Sequence, residues 1–129
     1  MLRDVCLDAN DPQLVGGFWA AVLGREAADA GEGDGTTSDV VLRENPASPG
    51  PTLWVNGVPE PKTGKVRLHL DVDLRPGQTV DDLLALGATV LSPPGEVRWW
   101  VLADPEGHEF CAFPAEQVAT NDEDAEVGV

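Results

Sequence analysis

Residues 65–74 read KVRLHLDVDL, and residues 2–8 read LRDVCLD. Both alternate polar and apolar side chains with the period of two that a half-buried strand requires. Each is followed by a helix signal. In the first half, Asp11 stands as N-cap with Pro12 at the first helical position. Leu14, Val15, Phe18, Trp19, Val22 and Leu23 then make an apolar stripe that ends at Gly24, a C-cap residue. In the second half, Thr79 and Asp82 fit a capping box with Asp in place of the usual Glu. The helix 80–86 stops at Gly87. Further strands are expected over 38–43 and 52–58, on either side of the Pro-rich turn 45–51, and over 89–91, 97–103 and 108–113. The stretch 32–35 reads as a loop and 59–64 as a linker.

The two halves repeat at an offset of about 64 residues. That repetition predicts an α+β fold of two βαβββ modules in one domain over 1–118: module one at 1–58, module two at 65–118. Residues 119–129 form an acidic tail expected to fray. Gly16 and Gly17 inside the first helix each cost about 1 kcal/mol relative to Ala, and close packing against the sheet is one possible compensation.

Composition narrows the partners. The chain has 129 residues, 23 acids against 8 bases and a formal charge of −15. Such a surface repels nucleic acid phosphates and anionic membranes, so neither is expected as a partner. No apolar run approaches the roughly 20 residues that span a bilayer. The N-terminus lacks the basic-then-apolar layout of a signal peptide, so a cytoplasmic location is expected. Cys6 and Cys111 form no CxxC pair and read as reduced, semi-buried thiols.

In the order VCLDANDP, FWAAVLG, VPEPKTGKVRLHLDVDL and WWVLADPEGHEFCAF, the chain resembles the glyoxalase-like members of the vicinal oxygen chelate superfamily. That superfamily also holds the bleomycin resistance proteins and the extradiol dioxygenases. The resemblance covers nearly the whole chain and implies two curled sheets around a half-barrel cleft, with helices outside. It also implies a homodimer and a small-molecule ligand. The fold hosts many chemistries, so it does not fix the reaction.

Strand alternation sorts the side chains by face. On 65–74, Leu68, Leu70, Val72 and Leu74 form the apolar side, leaving Arg67, His69, Asp71 and Asp73 opposite. On the first strand Val5 and Leu7 pack under a helix, leaving Asp4 and Cys6. On the last, Phe110 is the helix-side residue, which places Glu109, Cys111 and Phe113 inward, toward the cleft. With Asp104 to Gly107 as a four-residue hairpin loop, Leu102 opposes Glu109, Trp100 opposes Cys111 and Arg98 opposes Phe113. Arg98 and Trp100 then line the cleft, with Trp99 and Val101 behind the sheet. His108 reads as a surface residue.

Metal-binding members of the superfamily draw ligands from the first strand of each module and the last strand of one or both. By position these fall on Asp4, His69 and Glu109, with Glu109 also the catalytic candidate. One imidazole and two carboxylates suit a single divalent ion such as Fe, Mn, Ni or Zn, with positions left open for vicinal oxygens. The common family pattern has His where this chain has Asp4, a departure that bears on affinity and metal identity. Glyoxalase I proper adds an acid on the last strand of module one. Alignment of Pro59 with Pro114 places Trp54 there, which disfavours lactoylglutathione lyase activity.

Two functions follow from the resemblance. The first is a divalent-metal-dependent lyase, isomerase or oxygenase acting on a small oxygenated substrate. The alternative is a metal-free binding protein of the bleomycin-resistance type. Trp54, Arg67, Arg98, Trp100 and Phe113 are the substrate-binding candidates in either case.

Overall fold

The computed structural model describes residues 1–32, 38–95 and 98–115, and it contains the repeated plan twice. The chain divides into two units, Met1–Thr63 and Gly64–Val129. Unit 1 runs β1 (Asp4–Ala9), α1 (Pro12–Leu23), β2 (Ala28–Glu32), β3 (Ser38–Leu42) and β4 (Thr52–Gly57). Unit 2 runs β5 (Leu70–Asp73), α2 (Val80–Ala85), β6 (Thr89–Ser92), β7 (Trp100–Ala103) and β8 (Glu109–Phe113). Each is βαβββ, and the class is α+β. The expected tail, 119–129, lies outside the described residues.

The sheets share one topology, β1-β4-β3-β2 in unit 1 and β5-β8-β7-β6 in unit 2. In each, the first and last strands of the unit run parallel, and the remaining pairs are antiparallel. Both sheets are open. The parallel pairing needs a long crossover, which the helix and the following hairpin supply.

Local chemistry starts and stops the helices where the sequence places those signals. The Asp11 carboxylate accepts the Leu14 backbone N–H at 3.1 Å. Gly24 closes α1 in the left-handed conformation, φ 70°, which glycine adopts without a Cβ penalty. At α2 the box is reciprocal: Thr79 N–H donates to Asp82 Oδ2 at 2.9 Å, and Asp82 N–H donates to Thr79 Oγ1 at 3.2 Å.

α1 packs on β3, β4 and β1 through Val15, Gly16, Phe18, Trp19 and Val22, all buried. Trp19 is fully buried and meets Phe18 edge-on at 5.3 Å. Burial of each large apolar side chain stabilises by about 1.5–3 kcal/mol. Leu14, expected in this stripe, is instead 50% exposed. In unit 2 the buried apolar residues are Val72, Leu74, Leu83, Ala88, Leu102, Ala103, Phe110 and Ala112.

Three expectations need correction. β2 was not visible in the sequence, because Ala28–Glu32 reads ADAGE and offers no apolar alternation; the expected loop at 32–35 overlaps it at Glu32. The strand expected over 65–74 is only Leu70–Asp73. β8 begins at Glu109, so residues before His69 have turn residues rather than a strand beside them. Leu68 accordingly stands 67% exposed.

The third correction concerns register. Ala103 pairs with Glu109, Leu102 with Phe110, Val101 with Cys111 and Trp100 with Ala112. The turn is one residue shorter than expected. Asp104 N–H donates to His108 O at 2.9 Å, so only Pro105, Glu106 and Gly107 form the loop. Gly107 has φ 90°, as the left-handed position of a three-residue hairpin loop demands. Asp104 is buried, and its Oδ1 accepts N–H groups from Glu106 (2.9 Å) and His108 (3.0 Å). A slip of one residue exchanges the two faces of a strand. Trp100 therefore lies on the core side with Leu102, and Val101 takes the side of Cys111.

Candidate functional site

The sheet face opposite the buried set carries the chemistry in unit 2. β5 contributes Asp71 and Asp73, both exposed, and β8 contributes Glu109, Cys111 and Phe113, all half-buried. Asp71 pairs with Cys111 and Asp73 with Phe113 across the parallel ladder. Val101 flanks Cys111 from β7. Trp99, which the four-residue turn had put behind the sheet, stacks on Phe113 with ring centroids 5.3 Å apart and planes tilted by 32°. Sequence reasoning missed Trp99 because the parity of β7 depends on the turn length.

Burial pushes the Cys111 thiol up, and the neighbouring Asp71 carboxylate adds to this by charge and hydrogen bonding; Trp99 and Lys65 act in the opposite direction. Cys6 is exposed, and both thiols are free. A thiol held in its neutral form is a poor nucleophile. At mildly alkaline pH a disulfide reagent should therefore modify Cys6 rapidly and Cys111 slowly, and Asp71→Asn should speed the slow phase. The raised value also sets a sign for stability. Above the ordinary thiol range the unfolded chain loses this proton first, so the contribution of Cys111 to stability is intact below that range and falls as pH rises through it. Cys111→Ala should flatten that part of a pH–stability curve.

The expected metal ligands sit as follows. His69 and Glu109 each immediately precede the first pair of the β5–β8 ladder, Leu70 with Phe110. His69 is exposed. Glu109 Oε1 already accepts the Val66 backbone N–H at 3.2 Å. Asp4, in unit 1, is 3.3 Å from the Arg3 guanidinium. Among the described residues, no group of three or more His, Cys, Asp or Glu side chains gathers to hold an ion. Arg67 and Arg98 are exposed and lie outside the strands.

Unit 1 presents a related face. Trp54 lies beside Cys6 on β1 and Val41 on β3, with the Arg43 guanidinium 6.0 Å from its ring centroid. The pairing also corrects the internal alignment. Asp4 pairs with Thr52, and the matching position in unit 2, level with His69, is Glu109. Thr52, not Trp54, is thus the counterpart of Glu109, and the counterpart is still not an acid.

A family model for the glyoxalase-like domain matches residues 4–113. The chain belongs to the glyoxalase-like domain family. Solved structures share this fold. One is a glyoxalase/bleomycin resistance protein/dioxygenase family enzyme from Burkholderia phytofirmans PsJN, 19% identical with a TM-score of 0.61, covering 86% of this chain and 95% of that one. A glyoxalase/bleomycin resistance protein from Albidiferax ferrireducens T118 is 23% identical, TM-score 0.59, over 88% and 98% of the two chains. A mutant of the fosfomycin resistance protein FosX from Listeria monocytogenes, complexed with Mn(II) and 1S,2S-dihydroxypropylphosphonic acid, is 15% identical, TM-score 0.65, over 94% and 98%. At these identities the likeness is one of fold. No protein of curated function matches the chain. Among the described residues, no helix of the glyoxalase-like domain is long and apolar enough to cross a membrane.

Proposed function

We propose that this glyoxalase-like domain binds a small molecule bearing a flat ring, without a metal, on the open face of unit 2. The Trp99–Phe113 pair carries this reading. It is a half-buried aromatic surface on the sheet face that holds Asp71, Asp73 and Cys111, away from the core. Offset aromatic stacking contributes about 0.5–1.5 kcal/mol beyond the area buried, and the carboxylates orient any hydrogen-bond donors on the ligand. A glyoxalase/bleomycin resistance protein is among the solved structures that share this fold, which is consistent with sequestration. The other substrate-binding candidates divide by position: Arg67 and Arg98 are exposed for contact with a ligand, Trp54 belongs to the face of unit 1, and Trp100 points to the core side. Tryptophan fluorescence titration with a panel of aromatic compounds tests the proposal. Trp99→Ala should weaken binding about tenfold or more, a change of about 1.4 kcal/mol. Trp100→Phe and added chelator should leave it unchanged. Saturable binding that survives Trp99→Ala would sink the idea.

One observation favours a second reading, a divalent-metal-dependent lyase, isomerase or oxygenase acting on a small oxygenated substrate. His69 and Glu109 flank the same end of the β5–β8 ladder, and the FosX relatives were solved with Mn(II). The donor set is incomplete as it stands: Glu109 is engaged by a backbone amide, and no third donor converges on it among the described residues. Metal analysis of untagged protein purified without chelator distinguishes the readings. Stoichiometric metal that disappears in His69→Ala would establish the second, with Asp4 and Glu109 next to be tested.

A further inference from the structure

Trp99 lies just outside β7, one residue beyond the last ladder pair, Trp100 with Ala112. Where the ladder stops, side-chain contacts decide where the ring lies. Phe113 stands across from Trp99 in continued register and meets its ring at 5.3 Å. Cys111, two residues earlier on the same face of β8, is the diagonal neighbour, a separation that an aromatic side chain spans. The Cys111 side chain hydrogen-bonds to Trp99 and also to Asp71, its partner across the β5–β8 ladder. Chemistry fixes the direction of both bonds. An indole N–H can only donate, so the sulfur accepts it, and the Asp71 carboxylate accepts the S–H in turn. A line of donors thus runs from Trp99 through Cys111 to Asp71, crossing β8 to reach β5.

The repeat supplies a contrast. The position of unit 1 that matches Cys111 is Trp54, which pairs with Cys6 as Cys111 pairs with Asp71. There the ring grows from the strand itself, and Cys6 beside it is exposed. In unit 2 a small residue takes that place, leaving room on β8 for a ring that arrives from residue 99. Cys111 beneath it is half-buried.

We propose that Cys111 is a positioning residue for the aromatic face of unit 2, holding the Trp99 indole against Phe113 by accepting its N–H while Asp71 orients the thiol. The inference rests on the ring-binding reading for its consequence. A ring held in place before the ligand arrives spares the complex the cost of ordering it.

Exchange of the Trp99 indole proton with water, followed by NMR on the full chain, tests the proposal without any ligand. The resonance is assigned by its absence in Trp99→Phe. Cys111→Ala should speed the exchange about fivefold or more, and Cys111→Ser, which keeps a donor and an acceptor in place, should stay within about twofold of the wild type. Cys111→Val removes the same bonds while filling the space, and it stands in for Cys111→Ala if thermal melts show that variant to unfold early. Fluorescence titration with proflavine, a flat cationic dye suited to a face that bears Asp71 and Asp73, reads the consequence. Cys111→Ala should weaken dye binding about fivefold, Cys111→Ser should restore it, and Cys6→Ala should leave it unchanged. Indole exchange that is the same in the wild type, Cys111→Ala and Cys111→Val overturns the proposal. A dye affinity that falls in Trp99→Ala but not in Cys111→Ala does so too. Dye binding indifferent to Trp99→Ala counts against the ring-binding reading instead, and the indole exchange then decides the role of Cys111 alone.

Discussion

Arg25→Ala should destabilise unit 1 by about 3 kcal/mol, because one guanidinium holds three separate acceptors. Its Nε donates to Ser48 Oγ at 3.0 Å, and its Nη1 donates to the carbonyls of Leu42 (3.1 Å) and Pro51 (2.8 Å). Those acceptors lie at the end of β3, in the turn and just before β4, so the side chain ties the β3–β4 connection to the C-terminal end of α1. Asn45 works beside it. Its side-chain amide donates to Gly24 O at 3.0 Å, and its Oδ1 accepts N–H groups from Ala47 and Ser48, each at 2.9 Å. Removing Arg25 leaves the part-buried Leu42 carbonyl and Ser48 hydroxyl without this donor, and an unsatisfied buried acceptor costs more than the bond itself contributed. Arg25→Lys should recover less than half of the loss, since an ammonium cannot reach three acceptors in a fixed fork. Urea unfolding followed by tryptophan fluorescence measures both. A loss below about 1 kcal/mol for Arg25→Ala would show that the connection holds without the clasp.

The adjacent glycines of α1 should respond to alanine with opposite signs. A Cβ on Gly16 would lie 2.7 Å from Val40 Cγ1 and 3.0 Å from Val40 Cβ. Val40 is buried on β3 and stiff at χ1, so the helix must move off the sheet. Overpacking of this kind costs about 1–3 kcal/mol, and a contact this short with a stiff side chain belongs in the upper part of that range, above the ~1 kcal/mol gained in helix propensity. Gly17 is exposed, and a Cβ there meets nothing within 4 Å. Gly17→Ala should therefore stabilise by about 0.5–1 kcal/mol, and Gly16→Ala should destabilise by about 1–2 kcal/mol. Equal shifts of the same sign in the two variants would refute the close contact between α1 and β3.

The glycine pair illustrates how far the sequence reached. Two glycines in a helix are visible as a cost, but which of them touches the sheet is a matter of how α1 lies on β3. The helix caps were legible because Asp11, Gly24, Thr79 and Asp82 act within one turn of themselves. Face assignment on β1 and β8 was legible for the same reason: Leu7 and Ala9 are buried while Cys6 and Asp8 are exposed, and Phe110 and Ala112 are buried between Glu109, Cys111 and Phe113. β2 was not, since ADAGE pairs through its backbone and buries no apolar stripe.

The candidate site divides along the same line. The sequence by itself determined the repeated βαβββ plan, the caps and the alternation within strands, all of which depend on residues a few positions apart. Only the tertiary structure decided which tryptophan faces outward. The turn after β7 closes with three residues instead of four, because the Asp104 carboxylate gathers two backbone N–H groups and Gly107 takes a positive φ. That single residue turns β7 over. It brings Trp99 onto Phe113 and sends Trp100 to the core side, a choice made by hydrogen bonds in the turn and invisible to the periodicity of the strand.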